Sequence, residues 1–175
     1  MIECIYDKEK QMTVYVDMDG VIADFFTELA RTHGVKHWKD IPNKEESIMA
    51  LGGTDFFGRL PKFPTSDELI RFVDDATDGE WCILSAPLRG DYDNSSMWKR
   101  VWLDKNNYYP SEAIFTSGKQ KYATENGQPN ILIDDKPENI DAWIKNGGIG
   151  IRYQATEDSL ESLKEKIESA LALTD

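Results

Sequence analysis

Five short runs rich in β-branched, aromatic and other apolar residues recur along the chain, at 13–16, 81–85, 113–115, 130–134 and 149–153. Between them lie stretches with apolar residues at helical spacing, over 66–76, 95–106, 137–146 and 157–171. In the last of these Leu160, Leu163, Ile167 and Leu171 share one face, which predicts a helix packed on a sheet. Short strands alternating with helices of this length predict right-handed βαβ units, hence an α/β fold with a mostly parallel five-stranded sheet flanked by helices. Turn signals fall between the runs: Asp78-Gly79, Asn126-Gly127 followed by Pro129, and Gly147-Gly148.

Residues 26–64 break the alternation. They hold Trp38, Ile41-Pro42, Ile48-Met49, Gly52-Gly53, Phe56-Phe57 and Leu60-Pro61. This reads as a small, mostly helical cap inserted after the first strand, with 1–25 and 65–175 forming the core domain. An insertion there would lie over the carboxyl ends of the strands, where it could exclude water and contact a substrate.

The 175 residues suffice for one such domain with a real core. Apolar residues make up 40%, a globular composition. The net charge of −12 disfavours a nucleic-acid polymer or an anionic membrane surface as partner, since both call for a basic face. It leaves room for a small phosphorylated substrate, because a metal ion and a few lysines reverse the field locally. Cys4 and Cys82 give neither a disulfide framework nor a CxxC spacing, which fits a reducing cytoplasm. The start MIECIYDKEK is too charged for a signal peptide, and no apolar stretch nears the roughly 20 residues of a membrane span.

The string TVYVDMDGVIADF, residues 13–25, carries the most chemistry. A strand ends in Asp17 and Asp19, Gly20 follows, and a helix begins. This sets two carboxylates at the carboxyl end of a buried strand, where open α/β sheets bind ligands. Three other segments carry matching groups. Ile83-Leu84-Ser85 ends the second strand in a hydroxyl, Gly118-Lys119-Gln120-Lys121 follows the third, and Ile131-Leu132-Ile133 runs into Asp134-Asp135. Taken singly, each has a commoner explanation as a turn residue, a solvated lysine or a helix cap. Four acids on two strand rims, with a hydroxyl and a lysine, are read together as a site.

The set fits phosphoryl transfer. Asp17, with Asp134 or Asp135 and a backbone carbonyl, offers the hard oxygens that suit Mg²⁺ rather than zinc. Asp17 is placed to attack phosphorus. Asp19 is placed to protonate the leaving oxygen and then to activate water. Ser85 and Lys119 or Lys121 would hold phosphoryl oxygens. His33 and His37 are four apart, but Gly34 lies between them and the HExxH glutamate is missing, so no metal role is assigned to the pair.

In these motifs the chain resembles the haloacid dehalogenase-like (HAD) superfamily over residues 12–153. The second acid, Asp19, marks that superfamily's phosphatases and phosphotransferases. The resemblance implies a Rossmann-like core, an Mg²⁺ cofactor held by Asp17, Asp19, Asp134 and Asp135, and catalysis by Asp17, Asp19, Ser85 and Lys119 or Lys121. A closer resemblance is to the 5′(3′)-deoxyribonucleotidases, including their short phage and bacterial forms. It rests on DMDGVIADF, on FFGRLPKFP at 56–64, on ILSAP at 83–87, on WKRVWL at 98–103 and on ILIDDKPENI at 131–140. It implies hydrolysis of nucleoside monophosphates through an aspartyl-phosphate. Phe25, Phe56 and Phe57 would lie at the base, and Ala86 and Lys99 at the phosphate. Ala86 stands where the family often has serine, and Phe57 where some members have tryptophan. Related nucleotidases are often dimers, so a homodimer is a possible assembly. Two alternatives stay open: a phosphatase for another small phosphorylated metabolite, and a weakly catalytic nucleotide-binding protein.

Overall fold

The computed structural model describes residues 12–174. Cys4 and the charged N-terminal run read above as no signal peptide lie outside them. Among the described residues, seven strands and six α-helices follow one another. They are β1 (Val14–Val16), α1 (Phe25–Thr32), α2 (Lys44–Met49), α3 (Ser66–Ala76), β2 (Trp81–Ser85), α4 (Tyr92–Lys105), β3 (Glu112–Phe115), β4 (Thr124–Glu125), β5 (Gln128–Pro129), β6 (Ile131–Asp134), α5 (Pro137–Lys145), β7 (Ile149–Arg152) and α6 (Leu160–Leu171).

Five strands form one sheet in the order β3-β2-β1-β6-β7, and every pairing is parallel. The expected α/β sheet is therefore present. β1, β2 and β6 are buried along their whole length, as parallel strands covered on both faces must be, and their sequences VYV, WCILS and ILID are accordingly near-continuous apolar runs. Side chains alternate across the sheet. Val14, Val16, Ile83, Ile131 and Ile133 face the larger core, which Leu69 and Val73 of α3, Trp102 of α4 and Leu163 and Ile167 of α6 complete. Tyr15, Cys82, Leu84 and Leu132 face the other side, where Ile140 and Trp143 of α5 cover them. Burial raises the Cys82 thiol pKa to about 11, so this cysteine is packing and not chemistry.

Two helix starts lie three residues from the sequence expectation, and one turn segment forms strands of its own. α4 starts at Tyr92 rather than residue 95, because the polar Asp93 and Asn94 of its first turn hide the helical period. α6 starts at Leu160 rather than residue 157, where Ser159 caps it by accepting the Ser162 N–H. The turn signal at Asn126-Gly127 and Pro129 belongs to a hairpin. β4 and β5 pair antiparallel around Asn126-Gly127, both with positive φ, as a two-residue hairpin turn demands.

The segment between β1 and β2 is mostly helical, with α1, α2 and short 3₁₀ turns at Trp38–Asp40 and Phe56–Arg59. It is clamped to α4. The Trp102 indole N–H donates to the Leu60 carbonyl at 2.7 Å, Lys105 to that of Gly58 at 3.2 Å, and Asn94 to that of Thr54 at 3.0 Å. Among the described residues no helix is long and apolar enough to cross a membrane.

Candidate active site

The chain runs outward from β1 through β2 to β3, then crosses back to β6 on the other side of β1. The connections leaving β1 and β6 thus part in opposite directions and open a crevice at their carboxyl ends, the usual ligand position in such a sheet. The register sets Val16 beside Ile133, so Asp17 and Asp134 emerge as neighbours. The Asp17 N–H is tied to the Ile133 carbonyl at 2.9 Å. Oxygens of Asp17, Asp134 and Asp135 lie within 4.8 Å of one another. Asp19 is not in this group, a departure from the four-acid metal set implied by resemblance. Its carboxylate turns instead to Lys99, with Oδ2 at 2.7 Å from Nζ.

Gly20 makes the convergence possible. Its φ of +84° lies in the left-handed region, and a Cβ there would run into the Asp135 carboxylate. The glycine after the DxD pair therefore serves both the turn and the packing of the fourth acid.

Two buried lysines sit among the acids. Lys119, 3% exposed, reaches Asp134 at 2.6 Å and Asp17 at 2.9 Å. It stands on the 3₁₀ turn Lys119–Tyr122, whereas Lys121 points to solvent. Of the two candidate lysines, only Lys119 is in the site. Asp134 is fully buried; its Oδ1 accepts the Lys136 N–H at 2.9 Å, and Asn139 donates at 3.0 Å to Oδ2, the oxygen that Lys119 holds. Lys99 on α4, 1% exposed, contacts Asp19, the Ser85 hydroxyl and the Ala86 carbonyl. Burial tends to discharge Lys119, but the carboxylates of Asp17 and Asp134 outweigh it and shift its pKa upward. Burial, then the charge of Asp17, push Asp134 up to about 6. The same causes, with Asp134 added, push Asp135 up to about 8. Asp19 is also raised, by burial, against the pull of Lys99. Four carboxylates against two ammonium groups leave a formal charge of −2 (4 − 2) in this small space.

Two cavities meet at Asp19. One, about 670 Å³, holds Asp17, Lys119 and Asp135 and opens past Lys39, Lys136 and Arg152. The other, about 470 Å³, is walled by Phe25, Trp38, Ile48, Phe57 and Leu88. Trp38, Ile48 and Phe57 come from the inserted segment. Phe56 lines neither cavity. It packs behind the wall, with its ring centroid 5.7 Å from Phe25 and 5.8 Å from Phe57. Ala86 reaches both cavities, while its carbonyl accepts from Lys99. Among the described residues His33 and His37 join no acid cluster; the His33 ring contacts the Leu29 carbonyl, and His37 accepts the Lys39 N–H.

No family model and no curated relative matches the chain by sequence. Solved structures do match. A HAD family enzyme from Bacteroides thetaiotaomicron in its magnesium complex is similar at 17% identity and a TM-score of 0.52, over 87% of this chain and 98% of that one. An aspartate-to-alanine variant of that enzyme, in complex with magnesium and inorganic phosphate, gives 15% identity and a TM-score of 0.50 over 87% and 99%. An uncharacterized protein from Corynebacterium glutamicum gives 12% identity and a TM-score of 0.46 over 93% and 96%. The fold is that of HAD family enzymes.

Within this HAD fold, two functional-looking contacts escaped the sequence. Asn139 braces Asp134 from the first turns of α5, and its only signal was a polar residue five positions after the acid. Trp38 walls both cavities but sits in an irregular segment, where nothing in the residue pattern tells a wall from a core.

Proposed function

We propose that this protein is an Mg²⁺-dependent phosphatase that removes phosphate from nucleoside monophosphates through an aspartyl-phosphate. The observation that carries the reading is the junction at Asp19 of an acid-and-lysine crevice with an apolar, aromatic-walled cavity. A phosphoryl group suits the first, and a flat, weakly polar leaving group the second.

The donor set fits magnesium. Asp17, Asp134 and Asp135 offer only hard oxygens, and burial, with the charge of neighbouring acids added, pushes Asp134 and Asp135 toward protonation, which a divalent cation would offset. Held there, the ion would draw charge from the phosphoryl oxygens and keep the three acids ionised. The chain's own groups do the rest. An Asp17 oxygen forms a bond to phosphorus while the bond to the ester oxygen breaks. Asp19 gives its proton to that oxygen, and the alcohol leaves. Asp19 then takes a proton from water, whose oxygen attacks phosphorus and releases inorganic phosphate with Asp17 restored. Lys119 holds Asp17 in place and balances charge on the phosphoryl oxygens. The residues 26–64 act as the cap. Phe25, Phe57 and Trp38 would contact the base, with stacking worth roughly 1–3 kcal/mol per ring.

The test is phosphate release from deoxy- and ribonucleoside monophosphates and sugar phosphates, each with Mg²⁺ and with EDTA. Mg²⁺-dependent turnover favouring nucleotides is expected. Turnover spread evenly over sugar phosphates would remove the nucleotide part, and no turnover at all would remove the enzyme.

A further inference from the structure

An ammonium group has three N–H donors. Lys99 has a partner for each: Asp19 Oδ2 at 2.7 Å, Ser85 Oγ at 2.8 Å and the Ala86 carbonyl at 2.9 Å. The Phe57 ring, with its centroid 5.0 Å from Nζ, covers it further. A lysine this engaged and this buried has no proton left to offer a phosphoryl oxygen. Its partners do have something left to offer. Asp19 Oδ1 has no hydrogen-bond partner although it is buried. Ser85 Oγ accepts from Lys99, so its own proton must point away from the ammonium group.

We propose that Lys99 is a positioning residue and not a phosphate contact: it acts through Asp19, holding the carboxyl by Oδ2 in the orientation from which it serves the leaving group. This rests on the phosphatase reading above. It also departs from the role that the resemblance to nucleotidases implies for Lys99. Three features set the geometry. α4 is clamped to the inserted segment by Trp102, one helical turn beyond Lys99. Ser85 and Ala86 end β2, a rigid strand. Asp19 lies in the tight turn after β1, where the backbone N–H groups of Val21, Ile22 and Ala23 all converge on the Met18 carbonyl. Lys99 thus ties a helix, a strand end and a turn at one atom.

The experiment uses Lys99→Met and Lys99→Gln, alone and in an Asp19→Asn background, with kcat, KM and the calorimetric Kd for inorganic phosphate in the presence of Mg²⁺. Positioning of a general acid predicts a kcat loss on the order of 10²-fold, within the range such an acid supplies. KM and the phosphate Kd should stay within about threefold. In the Asp19→Asn background the same substitutions should cost less than about threefold more, because the group they act through is gone. A phosphate Kd weakened roughly tenfold or more with kcat preserved would make Lys99 a phosphate contact and overturn the proposal. So would an undiminished loss in the Asp19→Asn background. Lys99→Arg, which keeps the charge, replaces the others if circular dichroism shows that they do not fold. An unsubstituted protein that neither turns over nor binds phosphate would overturn the phosphatase reading itself, and the proposal with it.

Discussion

Lys119→Met removes the charge that holds the two central acids together while nearly keeping the volume. Lys119 is almost wholly buried, with carboxylate oxygens at 2.6 and 2.9 Å. Breaking a buried pair by deleting one partner costs about 3–5 kcal/mol, because the remaining charge is left uncompensated. For a chain of this length each kcal/mol shifts Tm by roughly 2–4 °C, so the variant should melt roughly 6–20 °C lower at about pH 8 with EDTA present. The deficit must also depend on pH in a set direction. Without Lys119 the repulsion falls on Asp17 and Asp134, and protonation relieves it. Asp134 already sits at about 6 with the lysine in place. The gap between variant and wild type should therefore narrow as pH falls to about 5. The double variant Lys119→Met, Asp134→Asn should recover part of the loss, since one of the two repelling charges is removed. The assay is thermal unfolding by circular dichroism at the two pH values. A Lys119→Met protein melting within about 2 °C of wild type at about pH 8, or a deficit that widens in acid, would refute the charge argument.

Three further outcomes follow from the same geometry. The metal-free protein should lose stability between about pH 4 and 8, because Asp134 and Asp135, raised to about 6 and about 8, bind more protons folded than unfolded over that range; urea unfolding at several pH values with EDTA measures this, and millimolar Mg²⁺ should flatten the slope. Gly20→Ala should lower stability by about 1–2 kcal/mol from its positive φ alone, with further loss from its clash with Asp135, and should weaken Mg²⁺ binding as read by calorimetry. Trp38→Ala should raise KM for nucleoside monophosphates by roughly 5- to 100-fold, the value of one stacked ring, and leave KM for small sugar phosphates nearly unchanged.

The parallel sheet was legible because a doubly covered strand must be apolar on both faces, which makes VYV, WCILS and ILID stand out from helices of period 3.6. The acids were legible because charge at the rim of such a strand is costly and so calls for a reason. Chain order alone therefore placed Asp17, Asp19, Ser85, Asp134 and Asp135 at strand ends. It did not decide which groups touch. Lys119 and Lys121 differ by two residues and by nothing in composition; the 3₁₀ turn buries one and exposes the other. Asp17 and Asp19 look like a pair, yet the turn at Gly20 sends Asp17 toward β6 and Asp19 toward α4. Phe56 and Phe57 are adjacent and alike, but one packs behind the wall and the other forms it. Sequence period records which face of an element is apolar, because burial acts on each residue separately. The pairing of a lysine with one acid and not another depends on the register of β1 against β6 and on where α4 crosses β2, and those are properties of the packed whole.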